Sequence, residues 1–185
     1  IKRAVELLLS AQRPIVYTGG GVVQGGAEKE LTKMVQALGY PCTNTLMGLG
    51  GFPASDPLFI GMLGMHGTYE SNMAMYECDV MLAVGARFDD RVTGDLKKFS
   101  PTARIIHVDA DPTSIGKNVR VEVPIVGEAK DVLADMHGLI PDNGERSNRK
   151  AIEKWWQRIK EWQSLKSLNY DRSSELIKPQ FVIEK

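Results

Sequence analysis

Short apolar runs of β type alternate along this chain with helical patterns, and each run ends in glycines, acids or hydrogen-bonding residues. The runs are PIVYTGGG (14–21), PCTNTL (41–46), VMLAVGARF (80–88), ARIIHVDAD (103–111) and VEVPIVGEA (121–129), the last weakened by Pro124. Between the first two, Leu31, Met34, Val35 and Leu38 recur at i, i+3, i+4 and i+7, an amphipathic helix over 27–39 closed by Gly39. KRAVELLLS (2–10), GTYESNMAMYECD (67–79) and Ala129–Leu139 carry further helical patterns. Strands and helices alternating at this spacing predict an α/β fold, a parallel Rossmann-like sheet with helices on both faces. Ligands of such sheets bind at the carboxyl ends of the strands. This chain places GGG (19–21), TLMGLG (45–50), GARFDDR (85–91), DADPTS (109–114) and GEA (127–129) there, and they are expected to converge on one crevice.

The triple glycine raises the question of a phosphate cradle, because it follows a strand and precedes a helix. A dinucleotide fingerprint G-x-G-x-x-G would need glycine at position 24, and Gln24 stands there. No acid ends the second run, so a standard NAD site is disfavoured. Phosphate contact through backbone amides and a plain tight turn both remain open for Gly19–Gly21. Asp109 ends the fourth run, where a carboxylate accepts ribose hydroxyls or caps an Asx turn for DPTS. Arg87 follows a strand-terminal Gly85 and is placed to pair with a pyrophosphate. Asp89, Asp90 and Arg91 then extend the crevice mouth, or form a self-neutralising surface loop. His66 in GMHG has no nucleophile beside it and reads as a surface residue. Metal-ligand spacing, a P-loop and a G-x-S-x-G elbow are all missing.

Bulk properties narrow the classes. At 185 residues the chain suits one domain with a sizeable core. Its 23 basic and 23 acidic residues cancel, which argues against nucleic acid as a partner. No apolar stretch reaches the ~20 residues of a membrane span, and no membrane partner is expected. Two scattered cysteines, Cys42 and Cys78, read as small core residues in a reducing, cytoplasmic protein. The chain opens at Ile1 inside a helical pattern and reads as a segment of a longer protein. After residues 1–140, PDNGERSNRK (141–150) reads as a polar linker. AIEKWWQRIKEWQSL (151–165) reads as a charged helix whose tryptophans pack against something outside the segment. IKPQFVIEK reads as the first turn of a further domain, with proline near a helix start.

The string TLMGLGGFP…GMLGMHGTYESNMAMYECDVMLAVGARFDDRVTG…IIHVDADPTSIGKN closely resembles the large catalytic subunits of the acetohydroxyacid synthase (acetolactate synthase) family. These are thiamine-diphosphate enzymes of valine, leucine and isoleucine synthesis. The resemblance spans nearly the whole chain. It implies that residues 1–140 are the central, FAD-binding domain of a three-domain subunit, with a six-stranded parallel sheet. Residues 141–185 would be a linker helix and the lead-in to the thiamine-diphosphate pyrophosphate-binding domain.

Carried over by motif, the resemblance places Gly19, Gly20 and Gly21 on the pyrophosphate side. It puts Thr45, Leu46, Leu63, Gly64, Met65 and His66 along the flavin. Gly85, Ala86, Arg87, Phe88 and Asp89 would line the phosphate and ribityl region, with Arg87 as the cation. Asp109, Ala110, Glu128 and Ala129 would hold the adenosine end, and Asp90 and Arg91 match a substrate-channel pair. The flavin has no redox role in the family reaction. The GDG…N motif for Mg2+ and thiamine diphosphate, and the activating glutamate, belong to flanking domains, and no GDG occurs here. The segment itself is therefore expected to be non-catalytic. The full enzyme would act on small 2-oxo acids, as a homo-oligomer with a small regulatory subunit. The rival readings are the central domain of a glyoxylate carboligase or pyruvate oxidase, a stand-alone nucleotide-binding module, and a scaffold whose flavin site has decayed.

Overall fold

A computed structural model describes residues 1–141, 148–173 and 175–185; most of the expected polar linker lies outside the described residues. Six parallel strands form one sheet: β1 (Pro14–Thr18), β2 (Cys42–Asn44), β3 (Phe59–Met62), β4 (Val80–Val84), β5 (Arg104–Asp109) and β6 (Val123–Val126). Their order is β3-β2-β1-β4-β5-β6. The chain runs outward from β1 to β3, then returns to lay β4 against β1. The topological switch point therefore lies between β1 and β4.

The sequence runs account for five of these strands. The sixth, β3, escapes because FIGM is short, lies on the sheet edge and is interrupted by Gly61 at φ +97°. Its pairing with β2 slips there: Cys42 lies opposite Phe59 but Asn44 opposite Met62, so β3 spends an extra residue in a bulge. Pro124, which lacks an N–H, is tolerated because β6 is the other edge.

Alternation within the strands divides the core in two. Val16, Cys42, Leu82, Ile106 and Val108 face one side, against α1 (Lys2–Ser10), α2 (Gly20–Gln24), α3 (Glu28–Leu38) and α6 (Ala129–His137). Ile15, Tyr17, Met81, Ala83 and Ile105 face the other, against α4 (Tyr69–Glu77) and α7 (Arg149–Ser164). Gly39 closes α3 at φ +68°, its N–H bonded to the Val35 carbonyl, as the sequence indicates.

The tryptophans correct one expectation. They pack against this chain itself. Trp155 and Trp162 are buried with Ile159 in the second core, their rings edge-to-face at 5.7 Å. Trp155 Nε1 donates to the Pro14 carbonyl at 2.9 Å and Trp156 Nε1 to that of Gly39 at 2.8 Å. Buried Asn148 ties the start of α7 to the Ala11 carbonyl and the Tyr40 hydroxyl. The aromatic stripe of α7 needs no outside partner, because it covers a sheet face that otherwise has only α4 against it. Beyond α7, α8 (Pro179–Glu184) begins with proline at its first turn and is exposed throughout. No described helix is long and apolar enough to cross a membrane.

Candidate functional site

The strand ends do converge, but the glycines there do a different job from the one an anion cradle requires. The Gly19 N–H donates to the Val84 carbonyl at 2.9 Å and the Gly21 N–H to the Gly85 carbonyl at 3.1 Å. A Cβ on Gly19 would stand 2.1 Å from the Gly85 oxygen, and one on Gly48 would stand 2.6 Å from the Thr18 oxygen. Gly20 is less crowded, with the Met47 Cβ 3.3 Å and the Met47 oxygen 3.4 Å from where its Cβ would stand. Glycine thus lets the loops after β1, β2 and β4 close up backbone to backbone at the switch point. Two of the three amides expected to face a phosphate are already committed. The tight-turn alternative describes Gly19 and Gly21.

On one side of this seam the surface is apolar. Leu46 and Met47 are about 70% and 69% exposed, with Leu49 and Met65 beside them in the loops after β2 and β3. Thr45 caps the short turn Leu46–Gly48, its Oγ1 accepting from the Gly48 N–H at 3.0 Å. Gly64 at φ +93° fits closely under the Arg91 carbonyl, which also accepts from the Met65 N–H at 3.0 Å. His66 is exposed. Met47 and Leu49 were not singled out in the sequence, although two large apolar residues in a glycine-rich strand-end loop are a readable signal.

On the other side the surface is acidic. Glu128 precedes α6 without capping it, exposed, its Oε2 4.0 Å from where a Cβ on Gly25 would stand. Asp109 is only partly free: its Oδ1 accepts from the Asp111 N–H at 2.9 Å, the Asx-turn arrangement. Ala110 is exposed beside it.

Between the two sides lies the loop after β4. Arg87 is exposed and pairs with Asp89 at 2.9 Å. Asp90 and Arg91 are also exposed, in the short helix α5 (Asp90–Thr93). Phe88 holds this loop. At φ +55° it turns its ring into the core, edge-on to Tyr17 at 5.3 Å and to His107 at 5.1 Å. Asn118 Nδ2 fastens the same loop from outside, donating to the Arg87 and Phe88 carbonyls. Leu63, Ala86, Phe88 and Ala129 have side chains in the two cores, so they reach the crevice by backbone alone. That narrows the side chains expected to touch a ligand.

His107, beneath this loop, is fully buried, and neither ring nitrogen has a hydrogen-bond partner. Burial lowers its pKa from the ordinary value, against the opposing pull of the Ala86 backbone and then of Asp109, whose Oδ2 is 4.0 Å away. It is a neutral core histidine. Among the described residues no group of three or more histidines, cysteines or acids could hold a metal ion. Along the strand ends lie exposed apolar side chains, then Arg87 and Arg91 each beside a carboxylate, Asp89 and Asp90, and then Asp109 and Glu128.

Residues 1–136 match the family model for the central domain of thiamine pyrophosphate enzymes. The chain belongs to this family. Thiamine pyrophosphate enzyme central domains in close relatives are parts of much longer chains. This one is 50% identical over 184 residues to the acetolactate synthase large subunit of Haemophilus influenzae, covering all of this chain and 32% of the relative. It is 49% identical to the acetolactate synthase isozyme 3 large subunit of Escherichia coli, again over 32% of that chain. The probable acetolactate synthase large subunit of Methanocaldococcus jannaschii is 46% identical, with 30% of it covered. The chain therefore spans about a third of the length of these relatives. The six-stranded parallel sheet agrees with the family expectation, where the sequence runs alone had suggested five strands.

Proposed function

We propose that this chain is the central, FAD-binding domain of an acetolactate synthase large subunit. The observation that carries the reading is similarity over the whole chain to such subunits, at up to 50% identity across bacteria and an archaeon. The side chains at the strand ends support it. In this reading Leu46, Met47, Leu49 and Met65 would cover an isoalloxazine ring, Arg87 would pair with the pyrophosphate, and Asp109 and Glu128 would accept adenosine hydroxyls. Apolar contact disfavours water at the ring face, and the carboxylates fix the ligand's direction along the sheet edge. The flavin would have no redox role in this reaction, and Asp90 and Arg91 would line the substrate channel.

The full-length enzyme would use thiamine diphosphate and Mg2+ from flanking domains to decarboxylate pyruvate. It would condense the two-carbon unit with pyruvate or 2-oxobutyrate, in branched-chain amino acid synthesis. A cytoplasmic homo-oligomer with a small regulatory subunit is part of the same proposal, as is the boundary between 1–140 and 141–185. The test is the purified full-length protein with thiamine diphosphate, Mg2+ and FAD, given pyruvate alone, pyruvate with phosphate and oxygen, or glyoxylate. Acetolactate is the expected product; acetyl phosphate or tartronate semialdehyde (the latter from glyoxylate) would favour the oxidase or the carboligase instead. The 185-residue chain alone should form no acetolactate above a blank.

A further inference from the structure

One side chain outside the expected site controls a loop inside it. Asn72, on α4, meets both backbone polar groups of Gly64. The Gly64 N–H donates to Asn72 Oδ1 at 2.9 Å, and Asn72 Nδ2 donates to the Gly64 carbonyl at 3.0 Å. The amide orientation follows from chemistry, since the opposite one would set two donors and two acceptors against each other. Three further hydrogen bonds make the arrangement directional. Thr68, which caps α4, donates its N–H to the Met62 carbonyl at 2.9 Å and its hydroxyl to that of Ile60 at 3.0 Å, so α4 starts from a fixed point on β3. Beyond Gly64, Met65 donates to the Arg91 carbonyl at 3.0 Å and leaves its side chain 68% exposed on the apolar ledge.

We propose that Asn72 is a positioning residue for the ligand face: through Gly64 it sets Met65 against Arg91, joining the apolar ledge to the charged loop after β4. The inference rests on the FAD reading for what the face binds, and on the geometry alone for how the loop is held. The carboxamide is specific. Alanine offers neither bond. Aspartate keeps the acceptor for the Gly64 N–H, but turns a second acceptor toward the Gly64 carbonyl until it is protonated, when its O–H replaces the lost donor. Facing a carbonyl oxygen favours the protonated form, but accepting from the Gly64 N–H favours the ionised one, and position 72 is exposed, so an aspartate there stays ionised at neutral pH.

The experiment uses full-length protein carrying Asn72→Ala or Asn72→Asp, with two readouts. The first is FAD titration by flavin fluorescence at pH 8, with the visible spectrum of bound flavin. Loss of the two bonds should weaken binding about tenfold in Asn72→Ala. Asn72→Asp, which sets a carboxylate oxygen against the Gly64 carbonyl, should be weaker still. The second readout is hydrogen exchange of the 62–68 peptide in FAD-free protein, which should quicken in both variants at pH 8. Unchanged FAD affinity, unchanged flavin spectrum and unchanged exchange would overturn the assignment. Wild-type protein that binds no FAD would instead remove the FAD reading, while exchange alone would still decide whether Asn72 holds the loop.

Discussion

A Cβ built on Gly85 would stand 2.6 Å from the Cα of Gly21, and one on Gly21 would stand 2.7 Å from the Cα of Gly85. The two loops flanking the switch point are therefore in backbone contact, and neither can accept a methyl group without moving apart. Gly26 provides the control, because it has almost the same φ as Gly85, +59° against +58°, with nothing within 4 Å of its Cβ position. Gly26→Ala should cost roughly 1 kcal/mol from backbone strain alone. Gly85→Ala adds overpacking to that strain and should cost roughly 2–4 kcal/mol. Urea unfolding of the two variants measures the difference. Equal costs would mean that the loops separate freely and that the glycines there are only turns.

Much of this region was legible in the sequence, and the parts that were not have identifiable causes. The strand ends, and Gly39 as a helix stop, follow from local periodicity and turn chemistry. The role of Gly19 and Gly21 does not, because a glycine that admits an anion and one that admits a neighbouring backbone leave the same letter. β3 was hidden by Gly61 and its bulge. Asn72 and Asn118 were hidden because their partners are backbone groups of loops, eight residues away for Asn72 and about thirty for Asn118, which no spacing rule reaches. The aromatic stripe of α7 was seen, but its destination depended on how many helices cover each sheet face, a property of the assembled fold.

That destination can be measured through Trp155. It is buried beside Ile159 and Trp162 and donates to the Pro14 carbonyl. Trp155→Phe keeps most of the apolar surface and loses the hydrogen bond, for an expected cost of about 1–2 kcal/mol. Trp155→Ala leaves a cavity and should cost roughly 3–5 kcal/mol. Denaturant titration of the 185-residue chain checks both. A cost near zero for the alanine variant would return α7 to the role of a loosely attached linker.

The cysteines make a simpler test. Cys42 and Cys78 are free and fully buried. Burial pushes the Cys78 thiol up to about 12 and raises Cys42 as well, so both stay protonated. The thiolate is the reactive form. Ellman's reagent at pH 8 should therefore titrate neither thiol in the native chain and both in guanidinium chloride. Rapid native labelling would show that the sheet opens around β2 or at the end of α4.

Glu122 should give the fold a pH signature. Its carboxylate takes a paired hydrogen bond from Arg104 and a longer one, 3.4 Å, from Arg3. Arg104, chiefly through that hydrogen bond, brings its pKa from an ordinary 4.5 down to about 2. Because the folded value lies below the unfolded one, the stabilisation is whole above 4.5 and is lost as pH falls toward 2. The side chains are partly exposed, so the effect is modest. Glu122→Gln should lower the melting temperature by about 1–3 °C at pH 7, with the gap to wild type closing as pH drops below 4. A gap that stays constant across that range would assign the loss to packing instead.

Arg87 carries the last prediction, and Asp89 changes its form. FAD would bring a doubly negative pyrophosphate to a seam whose Gly19 and Gly21 amides are already bonded, so a side-chain cation has to compensate it. Arg87 stands there, exposed, and its 2.9 Å pair with Asp89 both orients the guanidinium and competes for it. A charge-assisted hydrogen bond contributes roughly 1.5–3 kcal/mol. Arg87→Ala in full-length protein should therefore weaken FAD binding roughly ten- to a hundredfold. Arg87→Lys should recover only part, since an ammonium cannot fork onto two oxygens. Asp89→Asn removes both the competitor and a negative charge facing the phosphates, while leaving a side-chain acceptor for Arg87. It should bind FAD as tightly as wild type or more so. Flavin fluorescence titration at fixed, low ionic strength separates these outcomes. If Asp89→Asn weakens binding as much as Arg87→Ala, orientation of the guanidinium outweighs its charge. If neither substitution moves the dissociation constant and the fold is intact by circular dichroism, Arg87 and Asp89 are a self-neutralising surface pair, and the phosphate is held elsewhere.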